Sequence, residues 1–108
     1  MNLPTETFGN VVVVHAPEEL AADQVDGFRA FLGKLDHPAV VLDLDRTESL
    51  DSAGLTALLD SQDELRANDG DLKIATSNNY NRKILEVTRL DAQLEIFSSV
   101  VDAVKSYR

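Results

Sequence analysis

Leu50-Asp51-Ser52-Ala53-Gly54-Leu55 joins two runs of different periodicity. Before it, Ala39-Val40-Val41-Leu42-Asp43-Leu44 is a run with strand character. After it, Leu55, Leu58, Leu59, Gln62 and Leu65 fall at helical spacing. Ser52 therefore stands where a buried strand hands over to a helix. A serine there has two uses. It can cap the helix by accepting a bond from an orphan backbone N–H. It can also carry a phosphate close to the positive end of the helix dipole, where anions are tolerated. Gly54 and the small Ala53 leave its hydroxyl open to a modifying enzyme.

Working towards the N-terminus, Arg46-Thr47-Glu48-Ser49 reads as a polar connector. Residues 18–35 read as a helix, with Pro17 at or just before its first position and Glu18 and Glu19 suited to its start. Val11-Val12-Val13-Val14 is β-branched throughout with no polar alternation, the pattern of a strand buried on both faces. Phe8-Gly9-Asn10 predicts a hairpin turn, which makes residues 5–8 an edge strand.

Towards the C-terminus, the helix that opens at Ser52 runs to Asn68, and Asn68-Asp69-Gly70 supplies a turn with glycine as its C-terminal cap. Leu72-Lys73-Ile74-Ala75 is a strand. Ser77-Asn78-Asn79 offers caps to a third helix over 80–87. Residues 94–97 form a last short strand, and Ser98 caps a terminal helix through Tyr107. Strands that alternate with helices imply crossovers and a mostly parallel sheet. In such sheets functional sites gather outside the carboxyl ends of the strands. The loops 45–51 and 76–80 fall there, which brings Ser52 towards Ser77, Asn78 and Asn79.

Composition narrows the function classes. No stretch approaches the roughly 20 apolar residues of a membrane span. The start of the chain lacks the basic segment and apolar run of a signal peptide. With no cysteines, disulfides, thiol catalysis and cysteine-ligated metals are excluded, and a cytoplasmic location is expected. A formal net charge of −9 argues against nucleic acid and anionic membranes as partners and permits a basic protein. Nothing calls for a cofactor or a metal. Asp43 and Asp45 alternate along a strand end, but no third ligand accompanies them, so they read as solvated loop acids. His15 and His37 read as ordinary surface or cap residues. A Ser52-His15-Asp43 triad would need a Gly-x-Ser-x-Gly elbow, which the chain does not have, so no catalytic residue is expected. Arg82, Lys83 and Arg89 read as surface charge balance at helix ends.

The strand Val40–Leu44, a six-residue gap and Asp51-Ser52-Ala53-Gly54-Leu55 together resemble the STAS domain of anti-sigma factor antagonists. The likeness continues through Leu72-Lys73-Ile74-Ala75 and through the basic-apolar segment Arg82-Lys83-Ile84-Leu85-Glu86-Val87-Thr88-Arg89-Leu90. The resemblance implies one α/β domain over 1–108, STAS-like, with a mixed, mostly parallel sheet of about five strands and four helices. It implies an anti-sigma factor antagonist rather than an enzyme. Such a module binds an anti-sigma factor that is also a serine-protein kinase, is switched off by phosphorylation and is restored by a serine phosphatase. The phospho-acceptor would be Ser52. Asp51, Ser52, Ala53, Gly54, Ser77, Asn78 and Asn79 would line the partner surface of a monomer or weak dimer. The alternative within the family is an unphosphorylated STAS subunit of a lipid-transport or other signalling complex.

Overall fold

Val11-Val12-Val13-Val14 are all buried because the strand they form, β2 (Val11–His15), is covered on both faces. The computed structural model describes residues 1–107. β1 (Thr5–Phe8) folds back on β2 through Gly9-Asn10 as an antiparallel edge, with Thr5 opposite Val14 and Phe8 opposite Val11. β4 (Ala39–Asp43) lies parallel on the other side of β2, followed by β6 (Asp71–Ala75) and β7 (Ile96–Phe97). The sheet order is β1-β2-β4-β6-β7, one antiparallel pair and the rest parallel. Two short strands, β3 (Glu19–Leu20) and β5 (Ser49–Leu50), pair parallel apart from this sheet.

The strands alternate their side chains between two cores. Val12, Val14, Val40, Leu42, Leu72 and Ile74 point to a layer of three helices. There they meet Phe28 and Leu32 of α1 (Val25–Gly33), Leu58 and Leu65 of α2 (Ser52–Arg66), and Leu85 of α3 (Asn79–Val87). Each such large side chain removed from water stabilises the fold by about 1.5–3 kcal/mol. On the opposite face Val11, Val13, Val41 and Ala75 pack on Ala103 of one short helix, α4 (Val100–Lys105). Lys73 lies on this thinner face yet is buried. Its ammonium donates to Ser106 Oγ at 2.9 Å and to the Ser106 carbonyl at 3.2 Å. It also sits 4.3 Å from the centre of the Tyr107 ring. The Tyr107 hydroxyl reaches the carbonyls of Val40 at 2.8 Å and Asp71 at 2.9 Å. Burial, with the Asp71 charge nearby, pushes this phenol well above its ordinary value.

Several boundaries differ from the sequence reading. The helix expected over 18–35 begins only at Val25, and Glu19-Leu20 is extended. Leu20 pairs with Leu50 across β3 and β5, so a partner 30 residues away overrides the local helical pattern. The C-terminal end of α2 is turned by Asp69, which takes the left-handed conformation (φ 62°), not by Gly70. Gly70 serves a close approach: a Cβ there would lie 2.2 Å from the Pro38 carbonyl oxygen. Ser99, not Ser98, caps α4 by accepting the Asp102 N–H at 3.1 Å. These shifts leave the order of the expected elements intact.

Candidate functional site

The carboxyl ends of β2, β4 and β6 open into three segments: residues 16–24, 44–51 and 76–78. The Glu18 carbonyl accepts the N–H groups of Glu48 at 2.7 Å and Ser49 at 3.1 Å. Thr47, fully buried, donates its hydroxyl to the Pro17 carbonyl at 2.8 Å. Asn81, also fully buried, donates its amide to the carbonyls of Leu44 at 3.0 Å and Thr47 at 2.8 Å. The three segments thus form one braced rim. The bracing roles of Asn81 and Thr47 leave no local signal in the sequence, because their partners are 30 or more residues distant.

Ser52 is the first residue of α2 and is exposed. It does not cap the helix, contrary to the first of its two sequence readings. Asp51 holds the extended N-cap conformation, and its Oδ1 accepts the Gly54 N–H at 2.8 Å. Its Oδ2 accepts the Ala22 N–H at 3.3 Å, which ties the first segment to the helix start. Gly54 is buried under Leu20, and a Cβ there would stand 2.0 Å from the Leu20 carbonyl oxygen. Its smallness therefore lets α2 seat against β3. Half-buried Ala53 lines a shallow groove between α1 and α2 with Ser52, Val25, Arg29, Thr56 and Asp60.

Ser77, Asn78 and Asn79 form a second group on the same rim. Ser77 donates its N–H to Asp45 Oδ1 at 2.7 Å and its hydroxyl to the same oxygen at 3.2 Å. Asn78 caps α3, accepting from Tyr80 N–H at 2.9 Å and Asn81 N–H at 3.3 Å. Asn79 is the exposed first residue of that helix. The Asp51–Gly54 group leans on residues 20–22, and the Ser77–Asn79 group leans on Asp45. The connector 45–51 joins them.

Asp43, Asp45 and His15 are not idle surface groups, contrary to the sequence reading. His15 Nδ1 lies 2.8 Å from Asp43 Oδ2, and Nε2 lies 2.8 Å from Glu6 Oε1. Burial opposes charge on this ring, but the hydrogen bonds and charges of Glu6 and Asp43 outweigh it and raise its proton affinity. With both nitrogens engaged by carboxylates, the ring has no lone pair to serve Ser52 as a base. The geometry gives no support to a Ser52-His15-Asp43 triad. Arg82, read as surface balance, donates to Ser98 Oγ at 3.1 Å and links α3 to the segment before α4.

The model of the STAS domain family matches residues 2–103. The chain belongs to the STAS family. Solved STAS relatives share its fold at low identity. An anti-sigma factor antagonist from Mycobacterium paratuberculosis is 23% identical, with a TM-score of 0.84 over 97% of this chain and 92% of the other. A Thermotoga maritima protein described as an anti-sigma factor antagonist is 21% identical, with a TM-score of 0.83 over 96% and 92%. The Bacillus cell fate determinant SpoIIAA, solved in its phosphorylated form, is 20% identical, with a TM-score of 0.71 over 99% and 100%. No curated protein matches the chain by sequence. Within this STAS domain the box Asp51–Gly54 occupies the start of the helix that follows the central strand.

Proposed function

We propose that the chain is a cytoplasmic, non-enzymatic anti-sigma factor antagonist whose binding is switched by phosphorylation of Ser52. In the unmodified state the rim built from Asp51, Ser52, Ala53, Gly54, Ser77, Asn78 and Asn79 docks on an anti-sigma factor that is also a serine kinase. Phosphorylation abolishes docking, and a serine phosphatase restores it. One observation carries the reading: Asp51 and Gly54 are consumed by the helix start, while Ser52 between them is exposed and takes no part in the cap.

The chemistry suits a switch that leaves the fold intact. A phosphate adds roughly −1.5 to −2 charges and three acceptor oxygens. At the first position of α2 it meets the positive end of the helix dipole. Asp51 already occupies the Gly54 N–H, so the modified residue has the earlier N–H groups to itself. The cost appears in the complex, where a dianion must be desolvated beside the Asp51 carboxylate. Every 1.4 kcal/mol or so of that cost weakens binding tenfold.

Mass spectrometry of the chain after incubation with its cognate kinase should find phosphate on Ser52. Modification solely at another residue overturns the assignment. Binding to the anti-sigma factor should weaken at least about tenfold in Ser52→Asp and persist in Ser52→Ala. Unchanged affinity in Ser52→Asp favours the alternative, a STAS subunit of a lipid-transport or other signalling complex. Labelling of Ser52 by a fluorophosphonate probe would instead mark a hydrolase.

A further inference from the structure

One unbroken polar chain runs from the edge strand to the third segment of the rim. Glu6 on β1 meets His15 Nε2 at 2.8 Å, and His15 Nδ1 meets Asp43 Oδ2 at 2.8 Å. The other oxygen of Asp43 accepts the Asp45 N–H at 3.0 Å. Asp45 Oδ1 in turn accepts the Ser77 N–H at 2.7 Å and its hydroxyl at 3.2 Å. Backbone bonds run alongside, from His15 N–H to the Pro4 carbonyl and from Ala16 N–H to the Asp43 carbonyl, each at 3.0 Å.

We propose that His15, as the imidazolium, is a positioning residue for the Ser77 segment, so that this part of the rim responds to a proton held two strands away.

With both acids ionised, only the doubly protonated ring satisfies both contacts. A neutral imidazole has one N–H and one lone pair, so it can donate to one of two flanking carboxylates and must oppose the other. Glu6 from β1 and Asp43 from β4 are the charged groups against the ring among the described residues. They differ in freedom: the Glu6 side chain is 58% exposed and that of Asp43 is 13% exposed. When the proton leaves, Glu6 turns to water, while the backbone ladder keeps β1 on β2. Asp43 stays in place beside Asp45 without the imidazolium that offset the two carboxylates. Their repulsion loosens Asp45, and Ser77 hangs on Asp45 through both its N–H and its hydroxyl. Asp51 and Ser52 lie outside this chain, so the proton acts on one half of the rim and phosphate on the other.

The consequence for docking rests on the function proposed above, but the coupling itself does not. It is tested on the unmodified chain without kinase or partner, by NMR from about pH 5.5 to about pH 9. The His15 ring should titrate above a free histidine. The Ser77 amide should move with the same midpoint and lose protection from hydrogen exchange as the proton leaves. Glu6→Gln should lower both midpoints together, and His15→Gln should abolish the Ser77 titration. A Ser77 amide that stays flat through the His15 titration overturns the proposal. So does one that titrates unchanged in His15→Gln, or keeps its midpoint when Glu6→Gln moves that of the ring. A failure to find phosphate on Ser52 would leave all these outcomes readable.

Discussion

Two helices start at the carboxyl ends of adjacent strands, and their first residues are used differently. α3 begins with Asn78, a neutral cap, followed by exposed Asn79. α2 begins with Asp51, a charged cap, followed by exposed Ser52. Asn78 serves its own helix, whereas Asp51 also holds the Ala22 N–H and sits above a glycine pressed on Leu20. The start of α2 is thus locked to residues 20–22 through Asp51 and Gly54, while Ser52 stays exposed. A helix start of this kind can be modified without being loosened, because the group that changes is not the group that caps.

The contrast is broken most severely at Gly54. Gly54→Ala puts a Cβ against the Leu20 carbonyl and should destabilise the protein by about 3 kcal/mol in urea unfolding, as overpacking against backbone does. A loss below about 1 kcal/mol would mean that α2 seats without the close approach. Next come the caps. Asp51→Ala should cost about 2 kcal/mol and Asn78→Ala about 1 kcal/mol, because the first also frees the Ala22 N–H. Equal losses would erase the distinction between the two starts.

A third prediction concerns pH. The His15 proton affinity is raised in the folded state, so its contribution is complete below the unfolded value of 6.5. It then declines as pH rises and is lost once pH passes the folded value. Urea unfolding of the wild type and His15→Gln at several pH values should show the wild-type advantage shrinking with alkalinity. The smallest effect belongs to Ser52. Ser52→Ala should change stability by less than about 0.5 kcal/mol, since an exposed residue that does not cap contributes little. A loss near 1 kcal/mol would restore the serine to the capping role and weaken the contrast.

The larger elements were legible because their signals are local. Val11–Val14 and Val40–Leu42 are β-branched or apolar runs that suit a covered strand, and the leucines of α2 repeat at one face. What could not be read depends on contacts between distant segments. Pro17-Glu18-Glu19-Leu20 has every mark of a helix start, yet Leu20 is claimed by Leu50. Asp51 and Ser52 are both good caps by type, and the choice between them follows from Ala22 and Leu20 lying nearby. His15 has its partners nine and 28 residues away, so its place in the rim leaves no trace in spacing. The change of periodicity located Ser52 at the start of a helix, but it did not show that Asp51 and Gly54 spend themselves on architecture.

The clasp that Tyr107 makes over Lys73 has an optical corollary. The chain has no tryptophan and two tyrosines, Tyr80 and Tyr107. Tyr80 is open to solvent at the start of α3, while Tyr107 lies over an ammonium with its hydroxyl turned to two carbonyls. Ultraviolet emission from this molecule therefore comes from one fluorophore beside the rim and one under the terminal helix. Replacing either with phenylalanine leaves a single native dye, one watching for a visitor and the other for the fraying of the sheet's thinner cover.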